Sequence, residues 1–376
     1  MNKILDKSFK KALFALASIT IMTGCGSKNT TPSLSQAKIS EDTKFGSANV
    51  DISIDSFNKL GFNLGDSCDI KFSNGYQLLD VPYFNGYYVK NGDPVIVAYP
   101  SNENILITLN NTGIWNTANL TSDCTVDITL NTAYKYKDTQ EALGQSYSLD
   151  RTEYSSDEEF CNFRSLSGGK LKDSLIYRGA SPVDNSRNRA KYTDTLLEKT
   201  GIKTIIDLAD TKEDMEIYFI GEAYSSEYTK SLYDAGDICL LGMGSSYGSE
   251  SYMKSVATGF KFMLEHDGPY YIHCMEGKDR TGFVCMLVEA LCGATYDEMC
   301  SDYMVTYKNY YKITSDKTPE KYQAVVNLYF DSFMQFLHNS STGLKNADYT
   351  NDAKQYLKDG GMTDDEINSL IDKLTK

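Results

Sequence analysis

Histidine and arginine are scarce in this chain of 376 residues. The three histidines, His266, His273 and His338, are widely spaced and no Cys-x-x-Cys pair is present, so we expect no zinc site. Five of the arginines lie between positions 151 and 189 and one lies at position 280, whereas lysine supplies the positive charge elsewhere. This distribution indicates that arginine is used at positions that need the planar, two-pronged geometry of its guanidinium group.

Three further absences limit the class of protein. Outside the N-terminal region, no stretch reaches the roughly 18 apolar residues that a membrane-spanning helix needs. The formal net charge is −14, and it becomes −17 when residues 1–24, with four Lys and one Asp, are removed. Bulk charge should therefore not attract nucleic acid or acidic lipid. Gly277-Lys278 lacks the earlier glycine and the following Ser or Thr of a nucleotide-binding Walker loop.

What the chain does contain is a cysteine and an arginine separated by five residues, in the string HCMEGKDRT at positions 273–281. A thiolate at Cys274 can attack phosphorus, and the fork of Arg280 can bind two phosphoryl oxygens. Backbone N–H groups between them can form an anion-binding nest. The predicted phosphate-binding residues are Cys274, Met275, Glu276, Gly277, Lys278, Asp279 and Arg280. The alternative is a buried structural cysteine.

The flanking segments suit such a loop. Residues 269–273 predict a short buried strand, and residues 281–292 predict an apolar helix closed by Gly293. The loop then lies at a helix N-terminus, which favours both a thiolate and a phosphate. Thr281 and His273 are predicted to stabilise the thiolate, Thr281 through a hydrogen bond to the sulfur.

The string HCMEGKDRTG resembles the HCxxGKDRTG loop of a bacterial tyrosine phosphatase family, which also includes secreted phosphatases active on phosphoinositides. Three further stretches fit this family in order: NFR at 162–164 with Gly168-Gly169, LIYRGAS at 175–181 and GIKTIIDL at 201–208. The resemblance covers roughly residues 150–330. It implies that Cys274 is the nucleophile, that Arg280 binds the phosphoryl group, and that Lys278 and Asp279 are the distinctive loop pair.

The sequence leaves the general acid open. Many cysteine phosphatases carry an Asp some thirty residues before the nucleophile, but residues 240–250 contain none. The candidates, in order of preference, are Asp279, Asp207, and then Asp210 or Glu250. Alternatively, Asp279 holds the loop, and Asp207 orients Arg280 or caps a helix. Members of this family often have Asp-Leu-Arg where this chain has Asp-Leu-Ala. The missing arginine removes one possible phosphate contact.

The N-terminal region is typical of an exported lipoprotein. Residues 1–25 combine four lysines, an apolar run and Thr23-Gly24-Cys25, as in a secretory signal cleaved before a lipid-modified cysteine. A plain transmembrane anchor is the alternative, although the run is short. We expect a signal peptide over 1–25, lipid on Cys25, a flexible tether over 26–44, and a place on the outer face of a bacterial cell membrane.

The remaining length predicts two domains. Residues 45–148 alternate polar and apolar positions between Asn-Gly turns and predict a small antiparallel all-β domain, a barrel or sandwich. Residues 149–376 predict an α/β phosphatase domain with a mainly parallel central sheet flanked by helices, followed by C-terminal helices. We expect core packing for four aromatic residues of the β domain, with a ligand-binding surface as the alternative: Tyr83, Phe84, Tyr87 and Tyr88. Cys68 and Cys124 are candidates for a disulfide in an oxidising environment.

These features predict a protein-tyrosine phosphatase that needs neither metal nor cofactor. The alternatives are a phosphatase of phosphoinositides or inositol phosphates and an inactive phosphate-binding surface protein. The expected partners are a phosphorylated protein, lipid or inositol and, through the lipid anchor, a membrane, but not a nucleic acid.

Overall fold

The computed structural model describes residues 31–100, 102–144, 146–221 and 226–375. The predicted signal peptide, the lipid site at Cys25 and the first residues of the predicted tether lie outside the described residues. Residues 32–376 cluster into one unit. Within the described ranges, no helix has both the length and the apolar character needed to cross a membrane.

Seven strands of the described chain close into a barrel in the order β1-β2-β6-β5-β4-β3-β7. The strands are β1 (Ser33–Asp42), β2 (Ser47–Ser53), β3 (Ser67–Phe72), β4 (Gln77–Phe84), β5 (Pro94–Val97), β6 (Asn104–Leu109) and β7 (Thr125–Thr132). Among the described strands, each pairing in the barrel is antiparallel except that between β4 and β5, which is parallel. The predicted all-β domain is thus confirmed, as a barrel with one parallel strand pair.

The barrel core follows from alternation along the strands. In β3, Cys68, Ile70 and Phe72 are buried, whereas Lys71 between them is exposed, because successive side chains of a strand point to opposite faces. Trp115, the one tryptophan of the sequence, packs into the same core.

Two expectations for the barrel have different outcomes. Tyr83 and Phe84 are buried, as predicted, whereas Tyr87 and Tyr88 are half-buried and lie beyond the end of β4. The thiols of Cys68 and Cys124 are both free, and the predicted candidate disulfide is not formed.

The prediction of a flexible tether over residues 26–44 is wrong from Ser33 onward. β1 pairs with both β2 and β7, with Ile39 opposite Val50 and Leu34 opposite Ile128. Ile39 is the one fully buried side chain of this strand. Backbone pairing rather than apolar burial therefore holds β1, and its sequence lacks the hydrophobic pattern by which strands are recognised.

The second sheet has five strands in the order β11-β10-β12-β9-β8. They are β8 (Arg164–Ser165), β9 (Ile176–Gly179), β10 (Thr204–Asp207), β11 (Ile238–Leu240) and β12 (Tyr270–His273). All pairs are parallel except β8 with β9, which confirms the predicted mainly parallel sheet. The register places Asp207, His273 and Gly179, the last residues of three strands, side by side at the carboxyl edge.

Helices surround this sheet and continue to the C-terminus. Two short helices, α1 (Ile54–Lys59) and α2 (Lys137–Leu143), belong to the N-terminal region. The others are α3 (Asp157–Phe160), α4 (Ala190–Thr200), α5 (Lys212–Ile220), α6 (Glu227–Ala235), α7 (Glu250–Glu265), α8 (Asp279–Leu291), α9 (Tyr296–Tyr311), α10 (Pro319–Val325), α11 (Asp331–His338), α12 (Thr350–Asp359) and α13 (Asp364–Thr375). A π-helical turn over Val326–Phe330 joins α10 to α11. α8 is buried from Thr281 to Leu291, which explains its nearly continuous apolar sequence.

Candidate active site

The candidate site is the loop between the central strand β12 and the buried helix α8. Cys274 follows β12 directly and is 4% exposed. Lys278 is the N-cap residue of α8 and makes no side-chain capping hydrogen bond in the described structure. The first N–H groups of α8 are thus left for an anion at the positive end of the helix. The predicted strand, loop and helix all form.

Gly277 is held at the turn of this loop by its neighbours. Its φ angle is +66°, and a Cβ atom built on it would lie 2.2 Å from the carbonyl oxygen of Gly179. Its own carbonyl oxygen accepts hydrogen bonds from Arg178 Nη2 at 2.9 Å and Asn162 Nδ2 at 3.1 Å. The loop can approach β9 this closely because neither position carries a side chain.

Behind the loop lies a buried group of charges. Arg178 Nη1 is 2.5 Å from Asp302 Oδ2, and Arg164 Nε is 2.7 Å from Asp302 Oδ1. The two guanidinium groups hold the pKa of Asp302 below its usual value, although burial acts in the opposite direction. Asp302 thus joins α9 to β8, to β9 and, through Arg178, to Gly277. The sequence signalled the arginines through their clustering but gave no sign of their partner.

The side chain of Glu276 points into the protein rather than into open solvent. It is 7% exposed and accepts hydrogen bonds from the Tyr147 hydroxyl and from Arg187 Nε, the latter at 3.2 Å. Burial raises the pKa of Glu276, but Lys278, Tyr147 and Arg187 outweigh it, and the net shift is downward. Its backbone carbonyl accepts a hydrogen bond from the Tyr310 hydroxyl at 2.8 Å. Tyr147 and Arg187 are site residues that sequence reasoning did not identify.

Lys278 and Asp279 lie together at the mouth of the loop. Lys278 Nζ is 3.7 Å from Asp279 Oδ2, 4.0 Å from Glu276 Oε2 and 3.3 Å from the hydroxyl of Tyr311. The side chain of Asp279 is 63% exposed, whereas that of Lys278 is 15% exposed. Partial loss of hydration between the walls of the site raises the pKa of Asp279 above its usual value, against the effect of Lys278.

Arg280 and Thr281 occupy the first turn of α8. Arg280 Nη1 donates a hydrogen bond of 2.8 Å to the carbonyl oxygen of Met243, in the segment after β11. Thr281 is fully buried, and its hydroxyl has no hydrogen-bond partner among the described residues. Its predicted bond to the sulfur of Cys274 stays a prediction.

His273 lies between the loop and the end of β10. Its Nδ1 is 3.4 Å from the carbonyl oxygen of Cys274, and its Nε2 is 3.7 Å from Asp207 Oδ2. Burial lowers the pKa of His273 to about 4, so the ring is neutral near pH 7. Since a carbonyl oxygen only accepts, Nδ1 carries the proton that it shares with Cys274. The contact of His273 is therefore with the backbone of Cys274.

The other candidate acids have different surroundings. Asp207 Oδ1 accepts backbone hydrogen bonds from Ala209 at 2.8 Å and Asp210 at 3.1 Å, so this residue caps the turn after β10. Asp207 and Asp210 are both buried, and desolvation raises the pKa of each. Glu250 lies at the exposed start of α7 and pairs with Lys254. Of the four, Asp279 is the acid with an exposed side chain inside the loop itself.

This arrangement defines a class of site. A cysteine at the carboxyl end of a parallel strand, free N–H groups at a helix N-terminus and an arginine on the first helical turn can together bind a tetrahedral oxyanion. The chain belongs to the tyrosine phosphatase family, whose model matches residues 157–376. Membership implies phosphatase activity, a hydrolase reaction on phosphorylated substrates.

Comparison with solved structures adds two similar chains. One is an uncharacterized conserved protein from Thermotoga maritima, 14% identical, covering 25% of this chain and 35% of its own, with a TM-score of 0.22. This chain thus spans about a third of that protein. The other is the core catalytic domain of the PP-IP phosphatase SIW14 from S. cerevisiae in complex with citrate, 18% identical, covering 46% of this chain and 94% of its own, with a TM-score of 0.26. Scores of this size do not establish a shared architecture. No curated protein sequence matches the chain.

Proposed function

We propose that this chain is a protein-tyrosine phosphatase that hydrolyses phosphomonoesters through a phosphocysteine intermediate at Cys274. The observation that carries the proposal is the family match together with the loop around Gly277, whose backbone is fixed by Arg178 and Asn162. A loop held in this way presents its N–H groups without reorganisation when charge develops on the phosphoryl oxygens.

The reaction proceeds in two displacements. The thiolate of Cys274 attacks phosphorus as the bond to the leaving oxygen breaks, and Arg280 binds two of the phosphoryl oxygens. Protonated Asp279 gives its proton to the leaving oxygen. Water then attacks the phosphocysteine, its proton passes to the Asp279 carboxylate, and inorganic phosphate and the thiolate are released. The exposed side chain of Asp279 and its raised pKa support this role.

Phosphotyrosine is the proposed substrate rather than an inositol polyphosphate. Lys278 would be the natural cation for a second phosphate, but its ammonium group already lies near Asp279 and Glu276. The loop therefore provides positive charge for one phosphoryl group, which suits an ester with a single phosphate.

The test measures phosphate release by the protein and by its Cys274→Ser variant, in the presence of a chelator. The substrates are a phosphotyrosine peptide, the matching phosphoserine peptide, and a panel of inositol phosphates and phosphoinositides. We expect the phosphotyrosine peptide to be hydrolysed, with a loss of at least about 1,000-fold in the variant. Mass spectrometry of acid-quenched reactions should detect phosphate on the peptide that contains Cys274. Preference for an inositol substrate would replace the proposed substrate class, and phosphate binding without turnover would favour the inactive binding protein.

We further propose that the protein is exported and anchored through a lipid on Cys25, which supports action on the outer face of a bacterial cell membrane. The lysines, the apolar run and Thr23-Gly24-Cys25 support this proposal. In a bacterial host the wild type should partition into detergent and lose residues 1–24. A Cys25→Ala variant that partitions and is processed in the same way would contradict it.

A further inference from the structure

The barrel lies against the catalytic edge of the phosphatase sheet. Lys44 Nζ, between β1 and β2, donates a hydrogen bond of 3.2 Å to the carbonyl oxygen of Ala209, in the turn after β10. The hydroxyl of Ser246, in the segment after β11, donates to the carbonyl oxygen of Asn111. Both segments leave the carboxyl ends of their strands, the edge that carries Cys274. The barrel therefore borders the site.

A series of tyrosines leads from the barrel to the catalytic loop. The rings of Tyr99 and Tyr87 are 6.2 Å apart, and the carbonyl oxygen of Tyr87 accepts a 3.3 Å hydrogen bond from the hydroxyl of Tyr329. Tyr329 is 6.1 Å from Tyr307, which is 5.5 Å from Tyr311. Tyr311 in turn accepts the hydrogen bond from Lys278 described above. These rings connect the barrel, the π-helical turn and α9 to the loop.

Tyr99 itself interacts with the charges of the loop. It lies between β5 and β6, is half-buried, and interacts electrostatically with Glu276, Lys278 and Asp279. Burial and the two carboxylates raise the pKa of Tyr99, whereas Lys278 lowers it. Interaction with Tyr99 in turn contributes to the raised pKa of Lys278 and to that of Tyr147. A residue of the barrel is therefore close enough to the catalytic loop to interact electrostatically with its charges.

We propose that the barrel supplies part of the substrate site, with Tyr99 as the specificity-determining residue that contacts the aromatic ring of a phosphotyrosyl side chain. The inference rests on the proposed function and extends it. A phosphotyrosine whose phosphate occupies the loop would place its ring near Lys278 and Asp279. Tyr99 interacts with both of these charges, and Lys278 donates to the Tyr311 hydroxyl. Offset or edge contacts between aromatic rings are favourable beyond the area they bury. Serine esters and inositols lack such a ring.

The test compares Tyr99→Ala and Tyr99→Phe with the wild type on a phosphotyrosine peptide, and measures inhibition by tungstate, a tetrahedral oxyanion that carries no ring. We expect Tyr99→Ala to raise KM roughly three- to tenfold with kcat changed less than about twofold. The inhibition constant of tungstate should be unchanged, because the loop is intact. Tyr99→Phe keeps the ring and should stay within about twofold of the wild type. Tyr134→Ala, which removes another tyrosine of the same region, 54% exposed, is the matched control and should change neither constant.

Each other outcome overturns the inference in a recognisable way. If Tyr99→Ala matches the wild type, the ring does not contact the substrate. If KM and the tungstate constant change alike, Tyr99 shapes the phosphate loop instead. If Tyr99→Ala lowers hydrolysis of an inositol phosphate as much as that of the peptide, ring recognition is wrong. A wild-type protein that does not hydrolyse the phosphotyrosine peptide at all overturns the proposed function as well, whereas the first three results leave that function standing.

Discussion

Gly277 is a residue at which the loop has little freedom. The space that a side chain would need is occupied by the backbone of Gly179, and that backbone ends the strand next to β12. Arg178 and Asn162 hold the carbonyl group of Gly277 from the other side. The loop and the strand cannot separate without breaking buried hydrogen bonds. Each broken bond leaves an unpaired polar group.

We expect Gly277→Ala to lower kcat/KM for the phosphotyrosine peptide by at least about 100-fold, because displaced N–H groups no longer meet the phosphoryl oxygens. Gly293→Ala is the matched control. Its φ is +78°, close to the +66° of Gly277, but among the described residues no heavy atom beyond the adjoining backbone lies within 4 Å of the Cβ position. Both variants place an alanine at a positive φ angle, with a backbone strain of about 1 kcal/mol. Only Gly277→Ala adds a steric clash. Equal loss of activity in two variants with native circular dichroism would contradict this explanation.

At the scale of secondary-structure elements, the buried charges around Asp302 connect α9 to two strands and to the loop. Both terminal nitrogens of the Arg178 guanidinium group donate hydrogen bonds, one to Asp302 and the other to the carbonyl oxygen of Gly277. A lysine at this position has a single ammonium group and cannot reproduce both contacts at once. The loss would leave a carboxylate and a carbonyl group partly unpaired in the interior.

We therefore expect Arg178→Lys to lower the free energy of unfolding by about 3–5 kcal/mol, measured by urea denaturation. Arg151→Lys makes the same chemical change in an ion pair with Asp157, where the side chains are 25% and 39% exposed. That control should cost much less stability than Arg178→Lys, because solvent screens an exposed ion pair. If the two variants lost equal stability, burial of the Arg178 pair would not be the cause.

The elements of the site could be predicted because their signals are local. The strand, the loop and α8 follow from an apolar run, a motif and a closing glycine, and α9 begins with a capping box of Thr295 and Glu298. β1 could not be predicted, since its side chains are mostly exposed. The sequence likewise gives no sign of the π-helical turn over Val326–Phe330.

The contacts that complete the site are non-local. Asp302 pairs with Arg164, which is 138 residues away in the sequence. The Tyr147 hydroxyl donates to Glu276, which is 129 residues away in the sequence. No spacing along the chain encodes such a pair. The sequence indicated that arginine is used selectively, but the partners depend on how helices pack on the sheet. The approach of Tyr99 to the loop is of the same kind.

At the scale of the whole molecule, the barrel and the phosphatase region belong to one unit, residues 32–376. Hydrogen bonds from Lys44, Ser246 and Tyr329 cross between the two parts. Binding at the catalytic loop should therefore stabilise the barrel. Trp115 makes this measurable, because the sequence has one tryptophan and it is 9% exposed in the barrel core.

We expect tungstate at about 100 times its dissociation constant to add about 2.7 kcal/mol to the free energy of unfolding. If the two parts unfold together, the urea midpoint followed by Trp115 fluorescence should rise by the same amount as that followed by far-ultraviolet circular dichroism, which reports mainly the helices around the second sheet. Arg280→Ala is the control, because it removes the predicted oxyanion ligand and should abolish both shifts. A shift in circular dichroism without a shift in Trp115 fluorescence would mean that the barrel unfolds independently. Its tyrosines would then border the site without sharing its stability.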